Sequence, residues 1–533
     1  MKIKNIVLLI IAGLLMFCGC TNTEESTEDT VISENENSQE SESVIETASK
    51  DWEFDLELID MNKWSFDSNS DVYYQTDIAY CSNPLDENYE TLGIFVPGAY
   101  MNGTKNSDGS YTCEVNYSGT VNGYTAESAP IVFLVNTPGH KAQDAPDGFV
   151  KGCTSYTSEG FIYVVAGCRG KDAGVPAGVT DLKAAIRYVR YNAGVIPGNM
   201  DRIAVFGHSG GGSQCATLGA SGDSELYYPY LASLGAATTS DKVNAVMSWC
   251  PITSFDTADL GYEWNMGVTR SALSSEMQMI SDSLASAFAQ YVDEMNFTDK
   301  DGNVLTLEES DEGIYQSGSY YEYVKDVIEE SLQNYLADEN MSTSQISSYI
   351  SSLNSNGEWV SYDDGEVTID SIASFVTRYK KASKPVAAFD KLDEGGHELF
   401  NTGDGSLTHF DEYLYEIVKG TSYQQVMEED LNSTDYLGNS ISYRVKMFSP
   451  LYYLMENNEG YQSSSVAEYW RIRSGIEQSD TALTTEINLA LALEMYGVDV
   501  DFETVWDQGH TQAERTGKGS DNFIEWIEEI WNQ

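Results

Sequence analysis

The chain has 533 residues, 41% of them hydrophobic, with 29 Lys and Arg against 84 Asp and Glu, for a formal net charge of −55. That length corresponds to about three ordinary domains, or to one enlarged domain with an insertion, and the apolar fraction supplies a large core. A surface so acidic repels phosphate backbones and anionic lipid, which excludes nucleic acid as a partner. No second long apolar run follows the first, which excludes a polytopic membrane protein.

Lys2 and Lys4 precede an apolar run from Ile6 to Cys18. A short basic segment followed by an apolar one is the pattern of an export signal, too short for a comfortable membrane span. It closes on Phe17-Cys18-Gly19-Cys20, where small Gly19 makes Cys20 the expected lipidation site and residues 1–20 a lipoprotein signal peptide. Residues 21–50 carry nine acidic residues, one base and no aromatic. Such a stretch cannot bury enough apolar surface to order itself, so it reads as an acidic tether. The folded part is therefore expected to be exported, lipid-anchored to the cell membrane and facing outward. Six cysteines remain beyond Cys20, none in a CxxC pair, so a zinc knuckle is not indicated.

Pro130–Val135, Phe161–Ala166 and Arg202–Phe206 are short apolar runs of the kind buried on both faces of a sheet. Between the second and third, Leu182, Ala185, Ile186 and Val189 recur at helical spacing. Strand, helix and strand with short links make a βαβ unit and a mostly parallel sheet with helices on both faces. Val243–Trp249 continues the pattern, and Tyr469–Arg473, a helix over Leu483–Tyr496, Val498–Val505 and a helix over Phe523–Trp531 complete it. The stretch 256–450 breaks this rhythm and is too long for one crossover. With helical segments around Met277–Val292 and Tyr320–Leu336, it is expected to be an inserted lid domain. The core is then split into 51–255 and 451–533. Asp299–Asn303 has its glycine too early for a calcium loop and reads as a hairpin turn before Val304–Leu307.

Gly207-His208-Ser209-Gly210-Gly211 follows the strand ending at Phe206 and precedes a small-residue stretch that can begin a helix. Glycines there permit a sharp strand-to-helix turn that lifts the Ser209 hydroxyl above the sheet edge, with a helix N-terminus beneath it to favour negative charge. A serine hydroxyl needs a base, and in this arrangement the chain order is Ser, acid, His. Of the five histidines, His140 precedes Ser209, His208 sits inside the turn and is read as pointing elsewhere, and His397 and His409 fall in the lid. His510 follows the last strand and is the expected base. Asp480 and Glu477 follow the penultimate strand; Asp480 is the preferred acid, with helix capping as its alternative role. The oxyanion donors are the N–H of Gly210 and one from the loop Asn136–His140, either Gly139 or His140, with Gly139 preferred. No metal or cofactor is implied.

These residues, with a collinear set around them, resemble the bacterial tannase-type α/β-hydrolases, esterases that cleave galloyl and related phenolic esters. The set includes Ile94–Pro97, Asp181–Asn192, Ala220-Ser221-Gly222, Cys250-Pro251-Ile252, Ala258-Asp259, Tyr262-Glu263-Trp264, Ala388-Phe389-Asp390 and Trp470–Arg473. The resemblance implies an α/β-hydrolase fold with a lid inserted late in the sheet. It places the nucleophile on Ser209, the base on His510, and a lid lysine that touches phenolic hydroxyls on Lys384. Two positions depart from the family pattern. The family carries two aspartates one residue apart in the acid region; the first aligns with Gln478 and only the second, Asp480, is retained. The family's lid glutamate is displaced, and Glu398 is the nearest substitute. The expectation is a serine esterase acting on a small aromatic or plant-derived ester, feruloyl or galloyl for instance. An α/β-hydrolase peptidase and a catalytically inactive surface binding protein are the alternatives.

Overall fold

The structure, a computed structural model of the chain, describes residues 51–392, 398–402 and 407–531, without the Glu398 side chain. The signal peptide, Cys20, the tether, His397 and the side chain of Glu398 therefore lie outside the described residues.

Nine strands form the main sheet: β1 (Ser65–Asp67), β2 (Val72–Ala79), β3 (Thr91–Pro97), β4 (Ile131–Val135), β5 (Ile162–Ala166), β6 (Ile203–His208), β7 (Ala245–Trp249), β8 (Tyr469–Gly475) and β9 (Asp499–Val505). Their order is β1-β2-β3-β5-β4-β6-β7-β8-β9. The six strands from β5 to β9 pair in parallel. The first three run antiparallel at one edge. Strands β4 to β7 are almost wholly buried, which explains their continuous Val/Ile/Phe runs. The chain leaves β4 for β5 on one side and returns to β6 on the other. The order thus reverses beside β4, where open α/β sheets bind ligands at the carboxyl ends of their strands.

Helix α1 (Val175–Tyr191) joins β5 to β6. It begins a turn earlier than the apolar spacing suggests, because Pro176 fits the first turn of a helix. It is buried on nearly every side, including Asp181, Lys183 and Arg187. Asp181 is clasped by Arg169 Nη2 at 2.7 Å and Nε at 3.0 Å. Lys183 Nζ and Arg187 Nη2 converge on Asp241 at 2.8 and 2.6 Å. Charges sunk this deep are tolerable only when paired.

Between β7 and β8 the chain carries helices α2 to α6 apart from the first, which follows the β6 turn: α2 (Gly210–Ala220), α3 (Phe255–Met266), α4 (Ser275–Met295), α5 (Ser319–Asp338) and α6 (Ile372–Arg378). A small hairpin, Val360–Asp363 with Glu366–Ile369, lies between the last two. Asp299–Asn303 forms the expected turn, but it closes on a single bridge, Thr298 to Val304, and no strand runs through Val304–Leu307. The inserted segment shares its apolar core with the sheet domain. Tyr320 on α5 donates to Asn488 at 2.6 Å on helix α7 (Leu483–Tyr496). Ser331 donates to the Thr504 carbonyl of β9 at 2.9 Å. Helix α8 (Gly519–Trp531) ends the described chain, with Phe523 stacked on Phe206 of β6.

The Asp241 cluster sets an acid limit on stability. Burial alone would raise the Asp241 carboxyl, but Lys183 and Arg187 outweigh it and hold it down at about 2, below the ordinary 3.8. Its contribution is complete above the ordinary carboxyl range and is lost as pH falls through the lowered value. Asp241→Asn is expected to cost about 3–5 kcal/mol of unfolding free energy. Denaturant titrations at neutral pH and near pH 3 should show the variant's deficit shrinking as the acid is approached.

Candidate active site

The carboxyl ends of β6, β7, β8 and β9 bring four segments together. Register aligns them: His208 pairs with Trp249, Trp249 with Arg473 and Arg473 with Glu503. Ser209 comes one residue past β6, Cys250 one past β7, and the acid and base loops follow β8 and β9. Ser209 stands at φ 58°, ψ −124°, a strained conformation for a residue with a side chain. Its N–H donates to the Trp249 carbonyl at 2.9 Å, and its own carbonyl accepts the Ser213 N–H at 2.9 Å as α2 begins. The tightness of the turn explains its glycines. A Cβ on Gly211 would meet the Val135 carbonyl oxygen at 2.2 Å, and one on Gly210 the Thr137 carbonyl oxygen at 2.3 Å.

His510 Nε2 lies 2.7 Å from Ser209 Oγ. Its loop is pinned from the other side by Glu514, which accepts Arg471 Nη1 and Nη2, each at 2.7 Å, and the Trp249 indole N–H at 2.8 Å. This clamp was not anticipated. Its available signal was Arg471 itself, a charge in an otherwise apolar strand that demands a buried partner; nothing local marked Glu514.

Among the described residues, Asp480 is the one whose carboxylate lies within 4.0 Å of a His510 ring nitrogen, with Oδ2 3.7 Å from Nδ1. That separation exceeds a hydrogen bond, and Nδ1 is left without a partner. Asp480 Oδ1 instead accepts Lys384 Nζ at 3.0 Å. Burial would raise this carboxyl, but Lys384, then His510 and Lys380, hold it below its ordinary value. Burial dominates at His510 and lowers it, with Asp480 pulling up and Lys384 and Lys380 pushing down. Asp480 is not a helix cap, since that place is taken by Ala482. Glu477 shares no ion pair with His510; its carboxyl is raised by burial and by the neighbouring Asp507 charge.

Gln478 occupies the centre of the acid loop. Its Oε1 accepts the N–H groups of Asp480 and Thr481 at 2.9 and 3.1 Å, and its Nε2 donates to Glu486 at 3.0 Å. Fully buried Lys380 donates to the Gln478 carbonyl, and burial lowers its ammonium to about 8. Lys384 is held by its backbone. Its carbonyl accepts Arg270 Nη1 at 2.8 Å and its N–H donates to the Tyr262 phenol at 3.2 Å, while that phenol donates to the Ser479 carbonyl at 3.0 Å. Tyr262 thus ties the segment of Lys384 to the loop of Asp480. Asp259, one helical turn earlier on α3, accepts the N–H groups of Phe389 and Asp390, both at 3.1 Å.

On the other side of Ser209, Gly139 and His140 both adopt positive φ, at 60° and 58°. The His140 N–H donates to the Thr137 carbonyl at 2.9 Å, within the loop that a Cβ on Gly210 would strike. The buried His140 ring packs edge-on against Phe255, and burial lowers it to about 3, so it stays neutral. His208 does not point elsewhere: its ring centroid is 4.8 Å from that of His510.

Three comparisons bear on this arrangement. The BD-FAE family model matches residues 117–312. No curated protein matches the chain in sequence. Among solved structures, a tannin acyl hydrolase from Lactobacillus plantarum is 28% identical over 86% of this chain and 94% of its own, with a TM-score of 0.69. A Fusobacterium nucleatum tannase is 26% identical over 86% and 95%, also with a TM-score of 0.69. A tannin acyl hydrolase solved in complex with ethyl gallate gives 28% identity and a TM-score of 0.68 over 86% and 94%. The chain shares the fold of the tannase-type α/β-hydrolases.

Two outcomes follow from the geometry. Gly210→Ala should drive the turn away from the Thr137–His140 loop and lower kcat by about 10²–10³, the loss typical of one oxyanion donor, as read by steady-state kinetics. The acid limb of kcat/KM reports the base of the free enzyme. Removing the Lys384 charge (Lys384→Met) should raise His510 and move that limb to higher pH. Removing the Asp480 charge (Asp480→Asn) should lower His510 and move it to lower pH. Shifts in the same direction would contradict the arrangement.

Proposed function

We propose that the chain is a surface-anchored serine esterase that hydrolyses phenolic carboxylic esters, of the galloyl or feruloyl kind, through an acyl-enzyme. That it is a carboxylic ester hydrolase rests on its likeness to the tannin acyl hydrolases. The serine mechanism rests above all on one observation: Ser209 sits on a strained turn at the head of a helix with His510 Nε2 2.7 Å from its Oγ. In this reading Ser209 Oγ attacks the ester carbonyl as His510 takes its proton. Gly210 and Gly139 stabilise the oxyanion. His510 then protonates the departing alcohol, and a water activated by the same ring releases the acid and frees Ser209.

Asp480 is the proposed acid and Lys384 the proposed contact for the phenolic ring. The 3.0 Å pair between them supports a joint role, in which one carboxylate orients His510 and holds the lysine toward the substrate. Attachment to the membrane through Cys20 belongs to the same proposal.

The test is a rate assay of the purified protein on methyl gallate, methyl ferulate and p-nitrophenyl acetate side by side, with Ser209→Ala as control. Turnover of at least one phenolic ester is expected, and the control should fall by several orders of magnitude. Undiminished turnover by Ser209→Ala would overturn the mechanism, and turnover of acetate alone would overturn the substrate class.

A further inference from the structure

A second set of donors lies against the proposed base. His208, Cys250 and His510 each offer one atom, and these atoms lie within 4.8 Å of one another. The two rings are arranged alike. His208 spends one nitrogen on the backbone of His510, and its Nε2 is buried with no partner. His510 spends Nε2 on Ser209 Oγ, and its Nδ1 is buried with no partner. Between them stands Cys250, a free thiol 3.3 Å from the Thr511 carbonyl. The sequence brings them together by register alone: His208 ends β6, Cys250 follows its β7 partner Trp249, and His510 closes over both.

We infer that His208, Cys250 and His510 form a binding site for a thiophilic divalent cation such as Zn2+, and that its occupation inhibits the esterase reversibly. Two imidazoles and a thiolate are a three-ligand set suited to tetrahedral Zn2+ with water in the fourth position. At bond lengths of about 2.0–2.1 Å to nitrogen and 2.3 Å to sulfur, such donors stand roughly 3.4–3.7 Å apart, so closure needs movements of about 1 Å or less. Binding forms a coordinate bond to each of the two nitrogens and to sulfur; the thiol proton leaves to solvent, and the His510 ring proton passes from Nδ1 to Nε2. The ion takes the His510 nitrogen that faces Asp480. With the metal on Nδ1 and the ring proton on Nε2, His510 has no lone pair to take the Ser209 proton, so turnover stops until the metal is removed. This is an inhibitory site, distinct from a resident cofactor; its effect on turnover rests on the serine mechanism proposed above, whereas metal binding itself does not.

The experiment therefore reads both. The purified full-length protein, stripped with a chelator, is titrated with Cd2+ and followed by its thiolate-to-metal charge-transfer absorption. It is then assayed for ester turnover against rising Zn2+. The expected result is a saturable band that persists in catalytically inert Ser209→Ala and is lost in Cys250→Ser. Zn2+ should suppress wild-type turnover, EDTA should restore it, and Cys250→Ser should stay active while requiring roughly tenfold or more Zn2+. If Cys250→Ser does not fold, His208→Gln serves the same comparison. A band retained in the Cys250 variant, or equal Zn2+ sensitivity of variant and wild type, would overturn the proposal.

Discussion

The 2.7 Å contact between His510 Nε2 and Ser209 Oγ joins residues 301 positions apart, and much of the molecule serves to hold its two ends. Ser209 is kept in a conformation that isolated chain avoids, so its strain must be offset by what surrounds it: the Trp249 carbonyl on its N–H, the helix started by its own carbonyl, and glycines that admit β4. His510 is fixed at the far edge by the Arg471–Glu514–Trp249 clamp. Trp249 belongs to both anchors, taking the Ser209 N–H on its carbonyl and giving its indole N–H to Glu514. Ser209 and His510 are thereby both referred to one residue of β7.

Asp480, the proposed acid, is arranged differently. It lies between Lys384 and the His510 ring, closer to the lysine. The loop that presents it is shaped by Gln478, whose carboxamide gathers two backbone N–H groups and a buried glutamate. A carboxylate there could accept those N–H groups as well, but it would stand beside Glu486 without a proton to offer. The glutamine supplies donor and acceptor together, which suits a loop that also buries Lys380. The segment between β7 and β8 reaches the same place through Tyr262, Asp259 and Arg270, side chains of or beside α3 that hold the backbone near Lys384 and Phe389.

Much of this was legible in the sequence. Buried parallel strands advertise themselves as continuous apolar runs, and the turn around Ser209 carries its own glycine signature. The helix over Leu483–Tyr496 was readable to the residue. The antiparallel strands β1 to β3 were not, since β2 mixes Tyr, Gln, Thr and Asp and carries an irregularity between Gln75 and Ile78 that breaks any alternation. The place of His208 was also illegible, because a side chain's direction from a strained turn depends on the neighbouring strands rather than on its own segment. Ion pairs such as Arg471–Glu514 lie beyond local pattern; only the cost of a lone buried charge hints that a partner exists.

The most direct test of the account is to catch the acyl-enzyme. The protein is mixed with a phenolic ester, quenched in acid within the first turnovers, digested and examined by mass spectrometry. The account predicts an acyl adduct on the peptide containing Ser209, and on that residue within it. Sustained ester turnover with the adduct on another residue, or with oxygen-18 from water entering the acid and no adduct at any quench time, would contradict it.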